Sequence, residues 1–194
     1  DIPTKSEGGF GFNMTHADLY VKTPVNEKLG LIVSTRRSYT DLINTFTFQN
    51  LSERVFQNTK ISEGNTFFDS DPIKITKEFF RFADITAKAI YEPTEKDKIT
   101  FSSLFTTNKL DYNFLNEAFG DTSKDKLDVE NQGISAKWNH SYNTNFSQTL
   151  IAYKSYHNLE YEGINVFSEG FSDNYAKEND IDDYGISLHN IWRL

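Results

Sequence analysis

The stretch Gln132 to His157, QGISAKWNHSYNTNFSQTLIAYKSYH, decides the fold class. Two runs of alternating apolar and polar residues meet there at a polar turn, residues 142–145. Because side chains along a β-strand point alternately to opposite sides, the pattern predicts a hairpin with one mostly apolar and one mixed face. The predicted cross-strand pairs are Trp138–Thr149, Ala136–Ile151 and Ile134–Tyr153. The apolar face of such a hairpin must cover a protein core or contact lipid.

The composition narrows the classes of protein. Aromatic residues make up 15% of the 194 residues, yet no apolar run approaches the roughly 20 residues that a membrane-spanning helix needs. A membrane barrel fits such a chain, because its strands are apolar only at every second position. The net charge of −8 argues against nucleic-acid binding, and the absence of Cys excludes disulfides and thiolate metal sites.

Seven segments show the alternation and predict three hairpins followed by one unpaired strand. They are residues 10–23, 29–37, 80–91, 98–107, 132–141, 146–157 and 184–194. Turns within the hairpins are short, whereas the connections after Arg37, Thr107 and His157 are long and polar, and one contains a possible short helix at 51–58. Short turns on one side and long loops on the other are typical of outer-membrane barrels.

The two sides of the predicted strands differ in charge. One side carries no charged residue: Leu19, Val21, Leu31, Val33, Ile85, Ala87, Ala89, Tyr91, Ile99, Phe101, Phe105, Ile134, Ala136, Trp138, Ile151 and Tyr153. The other side carries Asp18, Lys22, Arg36, Asp84, Lys88 and Lys137 in mid-strand. A soluble β-sandwich would also bury one side, but Tyr91 and Trp138 lie near short turns, as in an interfacial aromatic girdle. The pattern therefore favours lipid on the uncharged side and water on the other.

The chain also resembles the barrel of TonB-dependent outer-membrane receptors. The resemblance lies in strand rhythm over residues 8–42, 55–61 and 79–112, with phrases such as RRSYTDL and ISAKWNH. It implies an all-β fold: an antiparallel transmembrane barrel segment of about seven strands with long extracellular loops. Residues 1–194 would form part of a larger barrel without a plug domain or TonB box of their own. Open edges must be paired in lipid, so further strands are expected on both sides.

The resemblance implies the location and partners. The chain would lie in the outer membrane of a Gram-negative bacterium, in a receptor that imports a large or scarce nutrient. Its partners would be lipid, the remaining barrel strands, the plug, the inner-membrane TonB complex acting through that plug, and in some receptors a surface lipoprotein. No cofactor or metal is implied.

The candidate binding residues are charged or aromatic side chains at the lumen or at the long-loop ends of strands. They are Arg36, Arg37, Tyr39, Asp18, Lys22, Asp84 and Lys88. The guanidinium groups could bind a carboxylate or phosphate, or contact a plug. The structural alternative is that Arg36 and Arg37 pair with Asp41 or a neighbouring strand, and that the other charges pair with each other across strands.

The sequence gives little indication of a metal site or of a catalytic motif. The acidic runs at 69–71 and 178–183 lack the ligand spacing of a calcium loop, and the four His residues are scattered singly. Loop aromatics could bind ligands or pack the loops together: Phe67, Phe68, Tyr112, Phe114, Phe119, Phe171 and Tyr175. No nucleophile elbow or phosphate loop is visible, so the chain is not expected to be an enzyme. The alternatives to a TonB-dependent receptor are another outer-membrane channel, adhesin or secretion component, and a soluble β-sandwich binding domain.

Overall fold

The computed structural model describes residues 1–43 and 73–193, which form a single antiparallel β-sheet. Its eight strands follow one another in chain order, and each pairs with its sequence neighbours. They are β1 (Glu7–Phe12), β2 (His16–Asn26), β3 (Leu29–Ser38), β4 (Ile73–Thr94), β5 (Asp97–Asn116), β6 (Asp121–Ser141), β7 (Phe146–Val166) and β8 (Ser172–Trp192). The all-β antiparallel prediction is confirmed. The sheet is open, because β1 and β8 each have one edge without a neighbouring strand in the described part of the chain.

The first predicted strand, residues 10–23, is in fact two strands. A turn at residues 13–15 separates β1 from β2. The side-chain oxygen of Asn13 accepts hydrogen bonds from the backbone N–H of Thr15 (2.9 Å) and His16 (3.1 Å), which gives the chain a local turn partner in place of the strand ladder. The apolar positions change from even-numbered residues (Phe10, Phe12) to odd-numbered ones (Leu19, Val21) across this turn, and the prediction of one continuous strand overlooked this change of phase.

Two of the three predicted long loops are instead strand, which corrects that part of the fold prediction. β5 continues to Asn116 and β6 begins at Asp121, while β7 continues to Val166 and β8 begins at Ser172. The turns contain Gly120 at φ 76° and Gly170 at φ 92°, a backbone region that favours glycine. The extended segments carry charged or polar residues on both faces, and their apolar positions, such as Leu110, Tyr112 and Leu127, are few, so the alternation that marks a half-buried strand is weak there. The third long loop and the possible helix at 51–58 lie outside the described residues.

The registers of the three predicted hairpins have different outcomes. The β4–β5 pairs, Tyr91–Ile99 through Ile85–Phe105, are as predicted. The β2–β3 register is shifted by two residues, with an irregularity between Pro24 and Asn26, so the faces are unchanged. The β6–β7 register is shifted by one: Trp138 pairs with Leu150, and Ile134 with Lys154.

The one-residue shift has a local cause. The backbone N–H groups of Asn145 and Phe146 both donate to the side-chain oxygen of Asn143, and the turn contains one residue more than predicted. A slip of one residue reverses the face of every side chain on one strand. Ile151 and Tyr153 therefore lie on the charged side of the sheet, and the prediction that they join the apolar side is wrong.

Little of the apolar surface is buried. Within the described residues, only Tyr39, Ile90 and Leu110 are buried apolar side chains. Leu19, Ile85 and Ile134 remain 49%, 46% and 62% exposed, with no second sheet above them. The described residues therefore do not form a β-sandwich. Among them, no helix has the length and apolar character needed to span a bilayer.

Candidate functional site

The pairing register defines two faces of the sheet. One face, here called the apolar face, is shared by Val33, Ala87, Ser103 and Ile134, which are successive partners across β3 to β6. The opposite face, called the polar face, carries Lys88 on β4 and Lys137 on β6. The exposed large apolar side chains of the apolar face include Phe10, Phe12, Leu19, Val21, Leu31, Val33, Ile85, Tyr91, Phe101, Phe105, Ile134, Leu150, Tyr184, Ile186, Leu188 and Trp192, and further along β7 Ile164 and Val166. Apolar exposure on this scale marks a surface that contacts lipid or another protein.

The apolar residues form a band that crosses the strands diagonally. Relative to the row of partners through Val33, the band in β1 lies toward the β1–β2 turn, at Phe10 and Phe12. In β8 it lies toward the opposite end, at Ile186 and Leu188. Barrel strands tilt by roughly 35–45° to the barrel axis, so a band parallel to a membrane crosses successive strands at shifted positions. The diagonal course of the band is the one that tilted strands require.

Aromatic rings form a continuous row at the end of the band where β6 turns into β7. Here called the aromatic row, it consists of Trp138, His140, Tyr142, Phe146 and Trp192. Successive ring centroids lie 5.6, 4.3, 4.9 and 4.1 Å apart. The prediction of interfacial aromatics named only Trp138 from this group. The register brings the others beside it, which the sequence alone did not show.

Asp97 holds the aromatic row to the β4–β5 turn. Its side chain accepts hydrogen bonds from the indole of Trp138 (2.9 Å) and the hydroxyl of Thr94 (2.6 Å), and contacts Nδ1 of His140 (2.7 Å). These bonds, first that from Thr94 and then those from His140 and Trp138, lower the pKa of Asp97 to about 2. The carboxylate is therefore ionised at neutral pH and fixes the orientation of both rings.

Five of the strands are longer than a bilayer requires. β4 to β8 contain 20 to 22 residues each, whereas roughly 9–11 residues of tilted strand cross the hydrocarbon core. The surplus, here called the extension, comprises residues 73–82, 107–132 and 157–183, on the side away from the aromatic row. Acidic side chains outnumber basic ones there. The extension therefore suits water and not hydrocarbon.

The polar face brings together three predicted site residues: Arg36, Asp84 and Asp18. The guanidinium of Arg36 donates to Asp84 (2.7 Å) and lies over the ring of Phe82, 5.3 Å from its centroid. Asp18 is the β2 partner of Arg36. Lys22 contacts Glu7 at 2.6 Å, a pair that the sequence did not suggest. The structural alternative, pairing across strands, thus describes Arg36, Asp84 and Lys22.

Arg37 and Tyr39 lie apart from these charges. Arg37 contacts Asp41 at 2.7 Å and donates to the carbonyl of Ser38, which occupies its guanidinium in local bonds. Tyr39 is buried and stacks on Phe12 with ring centroids 4.9 Å apart. Both residues therefore fix the chain where it leaves β3.

The extension contains a buried carboxylate that sequence reasoning missed. Asp125 is 1% exposed and accepts hydrogen bonds from the hydroxyls of Tyr161 (2.6 Å) and Tyr175 (3.3 Å). The two hydroxyls also lie 3.0 Å from each other. Burial, and then the bond to Asp125, raise the pKa of Tyr161. The sequence suggests Tyr175 as an aromatic residue that binds a ligand or packs loops together. In the structure its hydroxyl completes a hydrogen-bond network that joins β6, β7 and β8.

The acidic run at 178–183 cannot gather around one ion, because it lies within β8. Strand alternation places Asp180 and Asp182 on one face and Asp183 on the other. Asp180 accepts hydrogen bonds from Tyr156 (2.9 Å) and Asn158 (2.7 Å). No group of three or more His, Cys, Asp or Glu able to hold a metal occurs in the described ranges. The run at 69–71, with Phe67 and Phe68, lies outside them.

Comparison with known proteins gives similar solved structures but no family. No family model matches the chain, and no curated protein matches it. A similar solved structure is that of a major outer membrane protein from Thermus thermophilus, which is 10% identical over 97% of each chain with a TM-score of 0.31.

Proposed function

We propose that this chain forms part of the wall of an outer-membrane β-barrel. One observation carries the proposal: the same strands present an exposed apolar band on one face, in which Lys154 is the charged exception, and mid-strand charges on the other. In water such a band would be an aggregation hazard, whereas lipid on one side and an aqueous lumen on the other suit both faces. The aromatic row at one end of the band and the polar extension at the other support this orientation.

The lumen charges suit a wet interior that contacts a plug or solute. Arg36 keeps about half of its side chain exposed while bound to Asp84, so it can donate further hydrogen bonds to a carboxylate. Asp18, Lys22 and Lys88 lie on the same face. These residues are the proposed contact surface, and Arg37 and Tyr39 support the strand end beside it.

We further propose that the barrel belongs to a TonB-dependent importer of a large or scarce nutrient. The support is the sequence resemblance over residues 8–42, 55–61 and 79–112. In that role the wall holds the pore open, the extension and its turns capture solute, and energy enters through a plug. Lipid, the other strands, the plug and the TonB complex would be the partners, and the wall itself would perform no catalysis.

The experiment uses the full-length protein in its own cell. We expect the protein to fractionate with the outer membrane and to resist extraction by alkaline carbonate. If it imports by the TonB route, loss of the TonB complex abolishes uptake of its nutrient while the amount of folded protein stays the same. Uptake that persists without TonB favours a passive channel, and recovery in the soluble fraction contradicts the membrane wall itself.

A further inference from the structure

The polar face contains a concave depression of about 590 Å³ at the level of the apolar band. Small residues contribute to its lining: Ser102 on β5, with Gly133 and Ser135 on β6. A side chain at Gly133 would meet nothing within 4 Å, so glycine keeps the depression open. The longer side chains of Lys88, Tyr153 and Lys154 also line it, and Lys154 contacts Asp182 at 3.3 Å. The depression is therefore large enough for a small solute.

Two lysines beside the depression have no partner charge. Lys88 and Lys137 are exposed, and no ion pair or hydrogen bond involves either of them in the described part of the chain. By contrast, Lys22, Arg36 and Lys98 on the same face each contact a carboxylate. The uncompensated positive charge of this wall is thus concentrated on β4 and β6.

The two lysines flank one strand. Lys88 lies on β4 and Lys137 on β6, and β5 runs between them with Thr100 and Ser102 on the same face. Neighbouring strands lie about 4.8 Å apart, which places the two lysine stems roughly 10 Å apart across β5. Lysine stems are flexible and carry three donors each, so both ammonium groups can reach an anion above Ser102.

The other residues that line the depression indicate what kind of anion would fit beside the two lysines. Ile32, Leu104 and Tyr153 line the depression beside the hydroxyl groups. An apolar body can lie against these side chains while a carboxylate or phosphate group meets the lysines. We propose that this part of the lumen wall is a binding site for a small organic anion. The inference rests on the proposed function, because only inside a barrel does this face line an aqueous lumen.

The test measures the local charge without requiring an open channel. The chain contains no Cys, so a Ser102→Cys substitution supplies one defined thiol. In outer-membrane vesicles containing the full-length protein, two methanethiosulfonate reagents of similar size are compared, one anionic and one cationic. Relative to a free thiol, we expect the anionic reagent to be favoured about fivefold, since an unpaired positive cleft concentrates anions.

Matched variants identify the source of the preference. Lys88→Gln combined with Lys137→Gln should bring the ratio close to one. Lys109→Gln, which removes a lysine from the apolar face of β5 outside the lining of the depression, should leave it unchanged. Phenyl phosphate should protect the thiol in the parent protein and not in the double variant.

The outcomes separate this site from the barrel proposal. Equal rates for the two reagents, with no effect of the lysine substitutions, would overturn the anion site while leaving the lumen wall intact. If Ser102→Cys resists both reagents but Ser103→Cys on the apolar face reacts, the assignment of the faces, and with it the proposed function, is wrong. Protection by phenyl phosphate that survives the double substitution would also refute the role of the lysines.

Discussion

The apolar band and the extension are two halves of the same strands. The backbone pairing is the same in both, but the distribution of apolar and charged side chains over the two faces differs. In the band, one face is apolar except for Lys154 and the other is charged, so the residues alternate. In the extension, polar and charged residues occur on both faces, and cross-strand bonds such as those of Asp125 join the strands beside a few apolar pairs such as Leu110 and Leu127. The comparison shows that the hydrogen-bonded ladder forms in both environments, whereas side-chain patterning follows what each face contacts.

The largest expected effect comes from a charge placed within the band. Ile134→Lys puts a second ammonium group in the apolar band, directly opposite Lys154, and a lysine at a bilayer midplane costs about 2–4 kcal/mol. Gln132→Lys is the matched control, because Gln132 is the next residue on the same face of β6 and already polar. Its cost should stay within about 0.5 kcal/mol. Urea unfolding of the refolded barrel in liposomes measures the free energy of unfolding of both variants. Equal losses would contradict the conclusion that the band contacts lipid and the extension does not.

A smaller and local effect is expected in the extension. Asp125→Ala leaves the hydroxyls of Tyr161 and Tyr175 without their acceptor, at a cost of about 1–3 kcal/mol. Hydrogen exchange should become faster around the turns at 117–120 and 167–171 and stay unchanged in the band. Asp173→Ala, an exposed carboxylate of the same extension, serves as the control. Faster exchange throughout all eight strands would show that the two halves do not open independently.

The smallest effect concerns the aromatic row and depends on pH. Because the pKa of Asp97 is lowered to about 2 from an ordinary 3.8, its ionised form stabilises the folded state above pH 3.8. That contribution is lost as pH falls toward about 2. The melting temperature should therefore be higher for the parent than for Asp97→Asn at neutral pH, and the difference should vanish near pH 2. A difference that is constant from pH 7 to 2 would assign the effect to packing and not to the charge.

The sequence predicts the fold well in the apolar band and poorly in the extension. Residues 80–91 and 98–107 border lipid-like and water-like faces, and both their strands and their register could be predicted from alternation. Residues 121–131 could not be placed, because Leu127 and Val129 are the only large apolar residues among them and two positions give too short a periodic signal. The split at Asn13 and the extra residue in the turn at 142–146 were missed because side-chain bonds to backbone N–H groups set them.

The candidate site was partly predictable for the same reason. Alternation placed Asp18, Lys22, Arg36, Asp84 and Lys88 on one face, where the register keeps them. It did not predict which charges pair, because pairing depends on register: Lys22 meets Glu7 only through β1, whose separate existence was not foreseen. The burial of Asp125 could not be predicted from the sequence, because it depends on Tyr161 and Tyr175, which lie far along the chain.

The most direct measurement compares two neighbouring residues in the native outer membrane. Ile134→Cys and Ser135→Cys are introduced singly into this Cys-free chain, and each is labelled with a membrane-impermeant maleimide or with an environment-sensitive fluorophore. Lipid on the apolar face predicts that Ser135→Cys reacts with the maleimide while Ile134→Cys does not, and that a fluorophore at 134 emits as in hydrocarbon. Rapid maleimide labelling at position 134, with water-like emission there, would contradict a lipid-facing wall.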